Sequence, residues 1–170
     1  MTDDEIRAEL QHLGVGEHNL GLIALLPIVH VAWADERVQK AERRLIEKIA
    51  KRFQVDDPES MEILRGWMTR DPGFERHDRA LRLLRALAAR EGAFGTRITP
   101  RSLQGIVNLC QKVAEASGGV LGVGYNVDHR ERDAIAQIAE GLVLSESRTL
   151  PSAGWTSLLQ ELDGSDPVVG

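Results

Sequence analysis

Apolar residues recur at helical spacing along most of this chain, and strand-like alternation is almost absent. Thr2-Asp-Asp-Glu5 has the form of a capping box, and Ile6, Leu10 and Leu13 follow it on one helical face until Gly14 and Gly16 break the pattern. The next element, from about Asn19 to Ala34, is apolar nearly all round, which predicts a central helix. Pro27 within it removes an internal hydrogen bond and predicts a kink or a split near residues 23 to 27. From Gln39 to Phe53, Leu45, Ile46, Ile49 and Phe53 share one face, while Lys40, Arg44, Glu47, Lys48 and Lys51 take the other. Asp57-Pro58 and Thr99-Pro100 each combine a capping side chain with a proline suited to the first helical position. They predict helices over about 59–69 and from 100 onward. Leu81, Leu84, Leu87 and Ala88 define another over about 75–90, and a last one starts at Asp128 and runs through Ile135, Ile138 and Leu142. The expected fold class is all-α, with one multi-helical domain over residues 1–144. Residues 145–170 read as a linker, a short docking helix at Trp155–Leu162 and a frayed tail.

Two segments repeat one helix-turn-helix pattern. Val31, Ala32 and Ala34 correspond to Val113, Ala114 and Ala116, and Val38, Glu42, Arg43, Ile46, Ile49 and Ala50 correspond to Val127, Glu131, Arg132, Ile135, Ile138 and Ala139. Each copy ends a helix, turns on a valine and opens a new helix with a glutamate in its first turn. Such an echo predicts two related helical units, with Val38 and Val127 in equivalent buried sites and the four isoleucines in one core.

Composition narrows the function classes. The chain has 170 residues and a formal net charge of −5, which gives no electrostatic footprint for nucleic acid. Its one cysteine, Cys110, lies in an apolar helical pattern, so neither an internal disulfide nor a cysteine-built metal site is available. The apolar run Leu20–Ala34 is short for a bilayer, and the acidic start does not resemble a secretory signal. A cytoplasmic protein with no membrane span is the expectation. Arg65, Arg70, Arg76, Arg79, Arg82, Arg85 and Arg90 crowd the middle of the chain. They read as the solvated coat of helices, or alternatively as a docking face for an acidic partner.

No catalytic constellation stands out. The histidines at 12, 18, 30, 77 and 129 form no zinc motif, and His30 reads as a core or edge residue. Ser117–Asn126 is rich in glycine but lacks the order and flanking elements of a nucleotide loop, so it is expected to act as a hinge or contact surface. Trp33 and Trp67 read as core. The candidate chemistry sits in the acids of the two turns: Asp35, Glu36 and Glu42 in the first, Asp128 and Glu131 in the second. Convergent carboxylates suit a hard divalent cation such as calcium, magnesium or manganese. The competing reading is capping, in which Glu131 answers Asp128 and Glu42 answers Gln39, a weaker cap. Asp35 also sits at a helix C-terminus, where the dipole disfavours an anion, and if Asp35, Glu36 and Glu42 converge, a cation or one of Arg37, Lys40 and Arg43 must offset their repulsion.

Val31-Ala-Trp-Ala-Asp-Glu-Arg-Val-Gln-Lys-Ala-Glu-Arg-Arg-Leu-Ile46 resembles the turn signature of the TerB-like tellurite-resistance family, Ala-x-Ala-Asp-Gly-x-Val-x-x-x-Glu. Glu115-Ala-Ser-Gly-Gly-Val-Leu-Gly-Val-Gly124 with Val127–Glu131 is similar to a glycine-loop counterpart in some members, and the likeness spans about residues 20–144. Glu36 replaces the signature glycine, and no aspartate of the second copy aligns with Asp35. The resemblance implies two pseudo-twofold-related helical units and no catalysis. It further implies a role in tellurite resistance or metal and stress response, through divalent-cation sensing at Asp35 and Glu42 and, by the repeat, Glu131. It also implies action through a protein partner, including association with a membrane-bound complex. The alternative is a helical interaction module whose acids only cap helices.

Overall fold

The computed structural model describes residues 1–90, 93–95, 98–117 and 127–143. The expectations for the glycine loop and for the linker, docking helix and tail after residue 144 lie outside the described residues. Within them the fold is all-α, with helices α1 (Asp3–Leu13), α2 (Gly21–Ala32), α3 (Lys40–Arg52), α4 (Pro58–Thr69), α5 (Phe74–Ala88), α6 (Pro100–Ser117) and α7 (His129–Val143). Short 3-10 turns at Glu17–Asn19, Trp33–Asp35 and Ala93–Gly95 join some of them.

Helix α2 forms the centre because it has no polar face to give to water. Ten of its twelve residues are buried, and it packs against α3, α4, α5, α6 and α7. Pro27 does not split it. The helix continues to Ala32, and the carbonyl of Ile23 simply loses its usual i+4 donor. Gly21, at the start of α2, is required by the close approach of the end of α3: a Cβ there would stand 2.2 Å from the Phe53 carbonyl oxygen.

The caps form as the local sequence dictates. Glu5 accepts from the Thr2 amide at 2.6 Å while Thr2 Oγ1 accepts from the Glu5 amide at 3.3 Å, and Asp57 accepts from the Ser60 amide at 2.9 Å. At the far end of α4, the Trp67 carbonyl receives Trp33 Nε1 at 2.8 Å and the Met68 carbonyl receives Arg43 at 3.2 Å. Side chains from the first turn and from α3 thereby satisfy carbonyls that a helix terminus leaves open.

Ile46, Ile49 and Ile138 lie in the core as expected, but Ile135 is only half-buried, and Val127 is less covered than Val38. The two units therefore bury their matching positions unequally. Of the central arginines, Arg65 pairs with Glu47, Arg79 with Glu9 and Glu75, Arg82 with Asp78 and Arg90 with Asp3. More than half of this basic stretch is thus engaged by the chain's own acids, Arg79 tying α5 to α1. No described helix is long and apolar enough to cross a membrane.

Candidate functional site

The first turn begins where α2 gives way to Trp33–Asp35. Glu36 then takes a left-handed conformation, φ 67°, and its amide donates to the Trp33 carbonyl at 2.8 Å. This is the position at which the sequence carries glutamate where a glycine would turn without strain. The reversed chain delivers Val38 into the core and Gln39 to the N-cap of α3. Glu42, at the third position of that helix, accepts the Gln39 amide at 2.6 Å, whereas the Gln39 side chain makes no capping bond in return. Half of the capping box is present, as expected of a weak cap.

The second turn repeats the buried half and adds a side-chain cap on the second helical amide. Glu131 accepts the Asp128 amide at 2.9 Å, and Asp128 Oδ1 accepts from the Arg130 amide at 2.9 Å. Both glutamates are almost completely enclosed, at 1% exposure each. Capping thus accounts for Oε2 of Glu42 and of Glu131. It leaves Oε1 of Glu42 buried with no hydrogen-bond partner.

Glu42 is also the point at which the candidate acids meet. Its carboxyl pKa is pushed up to about 7, chiefly by burial; the Gln39 amide opposes this, and the charges of Glu131 and Asp35 add to it. Glu131 and Asp35 therefore both bear on Glu42, although Glu131 lies far from the other two in the chain. Glu36 and Asp128 do not join them. Both are exposed, and Glu36 instead pairs with Arg130 at 3.5 Å across the two turns. The cation that Glu36 meets thus comes from the other turn. Arg43 is spent on the Met68 carbonyl, and neither Arg37 nor Lys40 makes an ion pair among the described residues. Among these residues, no group of three or more His, Cys, Asp or Glu side chains is arranged to hold a metal ion.

A second cluster had only a faint sequence signal. His30, at the end of α2, stacks on His77 of α5 with ring centroids 3.8 Å apart and planes 10° from parallel. His77 is buried and its Nδ1 has no partner. Burial, reinforced by the charge of His30, depresses the His77 pKa to about 3, and burial lowers that of His30 against the raising influence of Asp71. Both rings are therefore neutral near pH 7. His30 on an apolar helix hinted at an edge role, but nothing local paired it with His77. Beside it lies a groove of about 300 Å³ lined by His30, Trp33, Ala34, Asp71, Arg130, Asp133, Ala134 and Gln137. Trp33 is consequently a groove wall and not a core residue, while Trp67 is buried as expected. Cys110 is fully enclosed, and burial pushes its thiol pKa well up, which removes it as a nucleophile.

Searches for resemblance return no matching family model, no matching curated protein and no matching solved structure for this chain.

Proposed function

We propose that this chain is a non-enzymatic, cytoplasmic TerB-like protein that responds to a divalent cation at the junction of its two turns and acts through a protein partner, in tellurite resistance or a related metal or stress response. The observation that carries the reading is Glu42 Oε1, an enclosed carboxylate oxygen with no donor, set against the charges of Glu131 and Asp35. Like charges at close range in a low-dielectric setting demand a proton or a cation. A hard divalent ion takes oxygen ligands and tolerates water and backbone carbonyls among them, so Glu42, Glu131 and Asp35 would supply its charged ligands and the rest would be neutral. The left-handed Glu36 supports the turn likeness, because it stands where the family signature has glycine.

The competing reading keeps the helical interaction module and dispenses with the cation. In its favour, the amides of Gln39 and Asp128 already occupy one oxygen of each glutamate, and no group of three ligating side chains occurs among the described residues. A proton shared at Glu42 would then relieve the repulsion.

Thermal unfolding separates the two. Calcium, magnesium or manganese at millimolar concentration should raise the melting temperature by mass action, chelator should reverse the gain, and Asp35→Asn combined with Glu42→Gln should abolish it. The gain should be larger at pH 8 than at pH 6, because a proton competes for a carboxyl whose pKa lies near 7. No heat of binding at millimolar metal, together with melting temperatures of parent and double variant that are both unmoved by metal, would leave the interaction module as the surviving function.

A further inference from the structure

The groove beside the histidine stack is built like a receptor for a flat cation. Two carboxylates line it from different elements, Asp71 from the turn between α4 and α5 and Asp133 from α7. Asp71 is exposed, accepts only the Gly73 amide at 2.9 Å, and makes no ion pair among the described residues. Asp133 meets His129 at 3.1 Å, a surface contact that a stronger cation can displace. The groove's own cation, Arg130, is turned toward Glu36. The aromatic walls are held in place before any ligand arrives: the Trp33 indole is pinned by its bond to the Trp67 carbonyl, and the His30 imidazole is backed by the buried ring of His77.

We propose that this groove seats an arginine side chain of a protein partner. A guanidinium is planar and weakly hydrated, so it can lie on the faces of Trp33 and His30 while its N–H groups reach Asp71 and Asp133. Lysine, a compact and strongly hydrated ammonium, uses such walls less well. A protein segment fits better than a free small molecule because Phe74, 6.2 Å from His77, is 67% exposed. Among the described residues Met1 is the one other exposed large hydrophobic, and it is less open. Phe74 gives the residues flanking the arginine an apolar footing next to the groove. This deepens the partner-binding part of the function proposed above and requires no cation at the glutamates.

The test uses the full chain labelled with nitrogen-15 and the blocked tripeptide acetyl-Gly-Arg-Gly-amide as probe. Saturable changes in resonance position are expected at the Trp33 indole N–H and at Ala134, with millimolar affinity. The citrulline tripeptide, which keeps the shape and lacks the charge, should bind roughly tenfold more weakly or not at all. Asp71→Asn with Asp133→Asn should cause a similar loss while leaving the far-ultraviolet spectrum unchanged, and Phe74→Ala should weaken longer arginine peptides selectively. Equal responses to citrulline, responses scattered over the acidic surface, stronger binding of the Gly-Glu-Gly counterpart, or binding that survives the double substitution would each overturn the proposal. Melting-temperature gains with calcium or manganese, measured in the same double variant, should persist. Their absence there and in the parent would count against the cation reading alone.

Discussion

The two turns make the same bond for different reasons. In each, a glutamate at the third helical position accepts the N-cap amide and is enclosed to 1% exposure. At the second turn a good cap stands opposite, since Asp128 accepts from the Arg130 amide, and the preceding valine is only half-covered. At the first turn the cap side chain contributes no bond, the chain reverses through a left-handed glutamate, and the buried carboxylate keeps an oxygen without a donor. An identical backbone bond can therefore close a helix in one copy and hold a charge under tension in the other. Sequence correspondence between copies does not imply equal energetics.

The largest test of this asymmetry lies in the core. Ile49→Ala and Ile138→Ala should each cost about 2 to 5 kcal/mol by denaturant unfolding, as large-to-small changes at enclosed sites. Ile135→Ala, at the half-buried counterpart of Ile46, should cost distinctly less than Ile46→Ala. Equal losses at that pair would mean that the two units pack alike after all.

Titration comes next. The Glu42 carboxyl has a folded pKa of about 7 against an ordinary value of 4.5, so its contribution to stability is fully present below about pH 4.5 and is lost as pH rises through 7. Without added metal, Glu42→Gln should therefore stabilise the protein at pH 8 by about 1 to 3 kcal/mol, since a tenfold change in proton affinity is worth about 1.4 kcal/mol. The advantage should vanish below pH 4.5. A variant less stable than the parent at pH 8 would show that the buried carboxylate is satisfied in its charged form.

The capping contrast is smaller. Asp128→Ala should cost about 1 kcal/mol, while Gln39→Ala should be close to neutral because its side chain makes no capping bond. Chemical denaturation of the two variants at one pH measures the difference directly, and a loss at Gln39 matching that at Asp128 would erase the distinction between the caps. Smallest of all, Glu36→Gly should relieve the left-handed backbone and stabilise by up to about 1 kcal/mol. It also removes the exposed pair with Arg130, so the net gain should grow with salt as that pair is screened in the parent.

What the sequence determined by itself is local and periodic. Capping-box partners lie three residues apart, so Thr2 with Glu5 and Asp128 with Glu131 were legible from spacing, and the Asp57 cap from its place before Pro58. Apolar periodicity placed the helices, and the lack of any polar face on Leu20–Ala34 put that helix at the centre, because such a surface has nowhere to go but inside. Even the weak cap at Gln39 could be read from the residue type. Pro27 did not split the helix, which packing on several sides holds together across one missing bond.

Tertiary structure decided everything that depends on which distant surfaces meet. It set Glu131 and Asp35 against Glu42, turned Glu36 toward Arg130 and away from the other acids, stacked His30 on His77, and opened the Trp33 side of α2 into a groove walled by α7. Helix periodicity says which face a residue occupies but not what packs against that face. Charge and hydrogen-bond strength follow from burial and from neighbours brought together by the fold, so the chemistry of these sites was written only when the helices docked.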